Sequence, residues 1–360
     1  MKPASIAELQ EQVVSSPCLT LHGAGTKPGL HLYQNGVTIL DTSGLTGVIT
    51  YQPEEFTFTA LAGTRLAEIA KLLEQHGQYL PFDPPLVERG ATLGGTVAAG
   101  LSGPGRYRYG GVRDFLMGVR FVDGQGRLVS AGGKVVKNSA GFDLPKLMVG
   151  SLGQYGALVE VTFKVFPRPP AYATLKASYL SIEQALESLY RITTAPLDLF
   201  AVELVPGNAG LELWVRLAGR AEALPERLER VRGVLGGGEV LDDRSEHGVW
   251  RAAREFTWLA EGASLVKLPI TPGTVLALDR MLAEHGAVRR YSVGCNLAWV
   301  GWPAPIELLD HLLRDFPGVS LSGLLVLGQG GQPRLGARTG AYFARRVKLA
   351  LDPQGRWLGD

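Results

Sequence analysis

Five residues, Gly23-Ala24-Gly25-Thr26-Lys27, set the smallest side chains beside one cation, directly after a strand predicted at Leu19–Leu21. With so little bulk, successive backbone N–H groups can converge on an anion, and the lysine adds charge. That chemistry suits a phosphate. The same residues would also serve as a plain strand-to-strand turn. The spacing is neither GxxxxGK[ST] nor GxGxxG, so neither phosphate-loop fingerprint applies.

Three further segments repeat the theme. The stretch Gly90–Phe115, GATLGGTVAAGLSGPGRYRYGGVRDF, holds eight glycines and a helix-sized apolar run at Leu93–Ala99. Ordering so many glycines is entropically expensive, which points to backbone held close against something. Gly94-Gly95-Thr96 falls at that helix's N-terminus, where N–H groups and the dipole favour an anion. Lys137-Asn138-Ser139-Ala140-Gly141-Phe142-Asp143-Leu144 is the third segment. In the fourth, Gly150, Gly153 and Gly156 recur every third residue and lead into a strand at Leu158. Tyr107 and Tyr109 among Arg106, Arg108 and Arg113 make a basic–aromatic mix of the kind that stacks on nucleic acid. The net charge of +2 gives the whole chain no such footprint.

Groups for proton or metal chemistry are sparse. The six histidines, His22, His31, His76, His247, His285 and His311, form no HxH or HxxxH pair. His76 and His285 precede glycines at predicted helix ends, where a cation complements the dipole. His22 precedes the first glycine turn and is expected to point away from it. Arg251, Arg254 and Lys267 are further cations, read as solvated. Trp250, Trp258, Trp299 and Trp302 are read as core or interface. Cys18 and Cys295 stand far apart, without a CxxC motif, so neither disulfide framework nor iron–sulfur ligation is expected.

The elements that position these segments follow from periodicity and caps. Ser5-x-x-Glu8 opens a helix to about Val14. Strands are predicted at Val37–Leu40, Gly47–Tyr51, Phe56–Leu61, Phe115–Val122, Arg127–Ser130 and Leu158–Phe166. Thr64 is expected to cap the helix ending before Gly77. Asp123-Gly124-Gln125-Gly126 signals a hairpin. Pro167-Arg168-Pro169-Pro170 is the domain boundary, giving residues 1–168 and 169–360. Beyond it, strands at Leu175–Tyr179, Leu199–Val205, Leu211–Leu217, Ser264–Leu268, Arg290–Val300 and Val319–Leu327 interleave with helices. That rhythm predicts an α+β layer, an antiparallel sheet covered by helices. At 46% hydrophobic and 19% charged residues, the composition is that of a globular protein. MKPASIAELQEQV lacks a signal-peptide core and no run reaches a membrane span, so cytoplasmic residence is the default expectation.

Together and in this order, the four glycine segments resemble the PCMH-type FAD-binding domain of the vanillyl-alcohol oxidase superfamily, over roughly residues 15–168. LAGTRLAEIAKLLEQHGQYLPFDPP, GATLGGTVAAGLSGPGR, VRDF, VKNSAGFDLPKLMVGSLGQYGAL and EVTFKVFPRP look more closely like the glycolate oxidase E-subunit family. The resemblance implies a two-part FAD domain followed by an α+β cap. It implies FAD pyrophosphate at Gly23, Ala24, Gly25, Thr26 and Lys27. Pro81, Thr92, Gly94, Gly95, Thr96, Ala99 and Gly100 would line the ribityl and flavin ring, with Tyr109, Gly110 and Gly111 continuing the wall. Asn138, Gly141, Gly153, Gly156 and Val159 would complete it. Flavin-linking relatives carry a histidine just after the first glycine turn; here Thr26 and Lys27 stand there, so the FAD is expected to be non-covalent. Thr20, Leu21 and His22 replace the usual upstream basic residue, and Leu152 replaces a common glutamate. The family's Asn-Pro-Gly-Arg ending is absent, although Asp352-Pro353-x-Gly355 keeps the preceding pattern.

Two functions follow from the resemblance. One is the FAD-binding subunit of a complex that oxidises glycolate or a related small 2-hydroxy acid, partnered by a D-type flavin subunit and an iron–sulfur F-type subunit. The other is a non-catalytic flavin relay or structural subunit of that complex. A reductase of the enolpyruvyl-UDP-sugar type shares the domain, but KNSAGFDL and GSLGQYG favour the oxidase branch. No catalytic residue and no metal ligand is assigned. Contact with a membrane would come only through partners.

Overall fold

The computed structural model describes residues 1–32, 34–133, 143–207 and 210–359. The chain divides into two compact units. The first comprises residues 1–103, 110–168 and 339–360; the second comprises 104–109 and 169–338.

In the first unit, helix α1 (Ile6–Ser15) starts where Ser5 accepts the N–H of Glu8, as the capping box requires. Strands β1 (Leu19–His22) and β2 (Thr38–Asp41) pair in parallel. A five-stranded antiparallel sheet has the order β3 (Val48–Gln52), β4 (Thr57–Leu61), β8 (Ala157–Lys164), β6 (Leu116–Val122), β7 (Leu128–Gly132). A small sheet pairs β5 (Gln78–Tyr79) with β9 (Phe166–Pro167). Helices α2 (Leu66–Glu74) and α3 (Leu93–Ala99) complete the frame. The β6–β7 hairpin turns where expected, because Asp123 accepts the N–H groups of Gln125 and Arg127.

Thr64 does not cap α2. Its hydroxyl is used by both backbone groups of Gly47, and Arg65 takes the capping position. The tertiary contact outcompetes the local one.

The short helix α4 (Arg106–Tyr109) clusters with the second unit, while α5 (Val112–Phe115) and α6 (Leu144–Met148) belong to the first. The second unit is built on a nine-stranded antiparallel sheet with the order β13-β10-β12-β11-β15-β16-β14-β17-β18. Its strands are β10 (Ala171–Tyr179), β11 (Ala201–Gly207), β12 (Gly210–Gly219), β13 (Glu239–Val240), β14 (Ser264–Pro269), β15 (Val288–Ser292), β16 (Leu297–Trp302), β17 (Ser322–Leu327) and β18 (Arg334–Gly336). Its helices are α7 (Ile182–Thr194), α8 (Leu224–Leu235), α9 (Asp243–Glu255), α10 (Val275–Glu284) and α11 (Ile306–Arg314). One continuous core joins the sheet to α7, α8, α10 and α11, through residues such as Leu189, Val231, Leu278 and Leu309. The molecule is α+β, as the sequence predicted.

Two expectations need correction. Arg290–Val300 is not one strand. It bends at Val293–Asn296 into the β15–β16 hairpin, with Val293 and Cys295 both in left-handed backbone. The C-terminal 22 residues, assigned by sequence to the second part, cluster with the first unit. Helix α12 (Ala341–Leu351) leads to Asp352, whose carboxylate accepts the N–H groups of Arg356 and Trp357. That cap delivers Trp357 into the core beside Leu9, Leu19, Leu40 and Val159.

Candidate cofactor cleft

The Gly23–Lys27 turn leaves β1 at the end of its parallel pairing and forms one wall of a half-open cleft of about 90 Å³. Among the described residues, no protein group accepts the N–H groups of Ala24, Gly25, Thr26 or Lys27. Gly25 adopts φ +67°, and the space where a Cβ would stand is open. These donors are left without a protein acceptor, an arrangement that can serve an anion.

Lys27 is 5% exposed, and among the described residues its ammonium reaches only Thr26 Oγ1, at 3.3 Å. Burial pulls its pKa down to about 8. A buried ammonium with a single neutral acceptor is held at a cost that an anion in the cleft would offset.

The chain then makes a tight turn, Pro28–Leu30, in which Leu30 N–H donates to Lys27 O and His31 N–H to Pro28 O. Proline presets this turn. It folds His31 back onto His22, with ring centroids 3.7 Å apart. Burial, reinforced by His22 and Lys27, lowers His31 to about 4. Burial also lowers His22, against the opposing pull of Asp41. Both rings are therefore neutral at pH 7, and both line the cleft. His22 was expected to point elsewhere; the turn places it in the cleft wall instead.

The opposite wall comes from Thr92, Gly94, Gly95, Ala98 and Ala99 of α3 with its cap, and the floor from Leu152, Gly153, Gly156 and Leu158. The N-terminus of α3 is not the open anion site expected. Leu93 N–H donates to Thr64 O, Gly94 N–H to Ala62 O and Gly95 N–H to Thr92 Oγ1. Gly94 is also required by packing, because a Cβ would stand 2.7 Å from that of Ala62.

Residues 1–132 match the family FAD_binding_4, FAD binding domain. Escherichia coli (strain K12) glycolate oxidase subunit GlcE is 32% identical over 358 residues, covering 98% of this chain and 94% of that protein. The chain belongs to the GlcE family. Bacillus subtilis (strain 168) glycolate oxidase subunit GlcD is 29% identical over 161 residues, 45% of this chain and 33% of that one. An Anaerostipes hadrus D-lactate dehydrogenase is 31% identical over 154 residues, 43% of this chain and 32% of that one. Among solved structures, an alkyldihydroxyacetonephosphate synthase superposes with a TM-score of 0.70 at 15% identity, covering 99% of this chain and 75% of that one. This last likeness concerns the fold alone.

For a GlcE-family chain, the cleft gathers eleven of the residues singled out in the sequence: Gly23, Ala24, Gly25, Thr26, Lys27, Thr92, Gly94, Gly95, Ala99, Gly153 and Gly156. Others lie outside its lining. Pro81 and Thr96 are buried, and Thr96 Oγ1 has no hydrogen-bond partner. Val159 is core, and Gly100 ends α3 at φ +62°. Gly111 N–H donates to Asp114, and a Cβ at Gly110 would strike that same carboxylate. Tyr109 stands edge-on to Phe200 within the second unit. Asn138 and Gly141 lie outside the described residues. Sequence reading missed His22, His31, Leu30 and Thr42. The only signal for the histidines was the Pro28-Gly29 turn between them.

The remaining described histidines are dispersed. His76 lies edge-on to Tyr51, and His285 bonds Met281 O at the end of α10. Among the described residues, no three His, Cys, Asp or Glu side chains come together as a metal site. No helix among them is long and apolar enough to cross a membrane.

Proposed function

We propose that the cleft holds FAD non-covalently, with its pyrophosphate on the N–H groups of Ala24–Lys27 and on the Lys27 ammonium. The observation that supports this most strongly is the conjunction of four unclaimed N–H groups with a buried, nearly unpartnered cation. His22 and His31, neutral, pack as a slab against the same turn. Thr92, Ala99, Gly153 and Gly156 offer a smooth wall for the rest of the cofactor, and Pro81, Thr96, Gly100, Tyr109, Gly110, Gly111, Asn138, Gly141 and Val159 remain its candidate outer shell. Bound FAD supplies a hydride acceptor.

The chain acts as the E-type subunit of a complex that oxidises glycolate or a related small 2-hydroxy acid, with a D-type flavin subunit and an iron–sulfur F-type subunit. It works in the cytoplasm, with residues 1–168 and the C-terminal segment 339–360 as the FAD domain and the intervening sheet as substrate or subunit-interaction domain. A second reading, a flavin relay or brace without its own substrate site, gains from the placement of the histidines. His22 and His31 face the cofactor cleft, while His76 and His285 are spent on packing and helix ends.

The purified chain is expected to be yellow and to release all its flavin in acid. Anaerobic glycolate or D-lactate then separates the readings. Bleaching of the isolated chain supports its own active site, and bleaching only after addition of the D-type subunit supports the relay. A colourless chain that does not take up added FAD overturns the cofactor claim and the relay, and leaves only the structural brace.

A further inference from the structure

Helix α12 turns its apolar residues outward. Tyr342 and Phe343 are each 68% exposed, Leu349 is 56% exposed, and no residue of the helix is fully buried. At about 100° per residue, Leu349, Tyr342, Arg346, Ala350 and Phe343 form one stripe. The opposite side is anchored to its own unit. Lys348 donates to Gln154 O and Trp357 O and pairs with Asp352 at 3.6 Å, while Val347 and Leu351 are half-buried. Helix α1 of the same unit does the reverse, burying Leu9 and Val13 and exposing Glu11.

The stripe is ordered and cationic. Tyr342 and Phe343 meet edge-on at 5.6 Å, and the Arg346 guanidinium lies 5.8 Å over the Tyr342 ring. From Thr339 to Leu351 the charged residues are Arg345, Arg346 and Lys348, with no acid among them. Tyrosine and arginine are the types that dominate interface hot spots, and interface centres are poor in lysine. The helix's one lysine faces its own chain. A membrane-surface helix keeps its cations on the face opposite the apolar one. Here Arg346 stands inside the apolar stripe, where a carboxylate in an apolar groove would pair with it.

We propose that this stripe is the docking helix for an acidic, apolar-floored groove on a partner subunit. The proposal rests on the reading of the chain as part of a heteromeric complex. The test mixes the FAD-loaded chain with purified D-type and F-type subunits and measures assembly by size exclusion and calorimetry. Tyr342→Ser/Phe343→Ser and Arg345→Glu/Arg346→Glu should each weaken assembly by about 30-fold or more. Both should keep wild-type FAD binding and unfolding midpoint, and the charge-reversed variant should lose the salt dependence of assembly. Variants that assemble within about twofold of wild type, while wild type assembles, overturn the docking role alone. Wild-type chain that assembles with neither subunit overturns the complex and the docking role together. Variants that lose only binding to anionic phospholipid vesicles, or only self-association, also overturn it.

Discussion

The cleft of the first unit and two side-chain clusters on the sheet of the second treat buried polar groups in opposite ways. In those clusters the groups satisfy one another, whereas Arg290, buried on the same sheet, rests on the Trp214 and Trp258 rings with its Nη1 unbonded. Arg216 donates to both oxygens of Glu246 at 2.7 and 3.2 Å, Thr174 donates to the same carboxylate, and Trp250 Nε1 donates to Thr174. The guanidinium also lies 4.0 Å over the Tyr172 ring. Asp279 is closed in the same way by Arg289 and the Tyr291 hydroxyl, at 2.6 and 2.7 Å. The first unit instead leaves a row of N–H groups and a buried ammonium facing open space. Closed networks specify a scaffold, whereas an open one asks for a ligand.

Removing one member of the closed network should be the costliest change. Glu246→Gln leaves Arg216 buried without its counter-charge and should destabilise the protein by about 3–5 kcal/mol. Chemical denaturation measures this, and FAD affinity of the folded fraction should be unchanged. A loss below about 1 kcal/mol would mean that the network is not what holds the sheet.

The open network should respond with the opposite sign. The Lys27 pKa falls from 10.5 in an ordinary environment to about 8 in the fold. Below pH 8 the lysine is charged in both folded and unfolded states, and the fold bears the full penalty of holding it, about 3 kcal/mol for that shift. Lys27→Met should therefore raise apoprotein stability at pH 7 by up to about that amount, while weakening FAD binding by about 10- to 100-fold. A destabilised apoprotein would contradict the contrast.

Two glycines sharpen it further. Gly94→Ala drives a methyl into Ala62 and should cost about 1–3 kcal/mol of stability. Gly25→Ala meets no atom, strains left-handed backbone by about 1–2 kcal/mol, and should disturb FAD binding more than Gly94→Ala does. Equal effects on FAD would erase the distinction between a packing glycine and a ligand-facing one.

Much of the fold was legible where caps and turns act locally. Ser5 and Asp123 each do what their sequence context predicts, since each accepts a backbone N–H three or fewer residues away. Helix α9 was invisible because its buried face includes Glu246 and Glu255 rather than aliphatic residues. Helix α12 was invisible because its apolar residues face outward and a lysine anchors it. The β15–β16 turn was missed because Val293 and Cys295 take a conformation usually left to glycine. The site was half legible. Small residues marked the nest, but glycine cannot announce whether it admits a ligand or another backbone. Gly94 and Gly25 look alike in sequence and differ in backbone conformation and in what stands beside them.

The smallest expected effect comes from pH. Anionic FAD binds the protonated Lys27, so affinity should hold steady from pH 6 to 8 and then fall as the free-state lysine deprotonates, by at most about tenfold per pH unit. Fluorescence titration of apoprotein with FAD, wild type beside Lys27→Met, from pH 6 to 9.5, tests the cleft most directly. Saturation at one FAD per chain, with a decline above pH 8 in wild type and none in Lys27→Met, is the predicted result. No FAD binding, or identical affinities and pH profiles for the two proteins, would contradict the placement of the pyrophosphate at Gly23–Lys27.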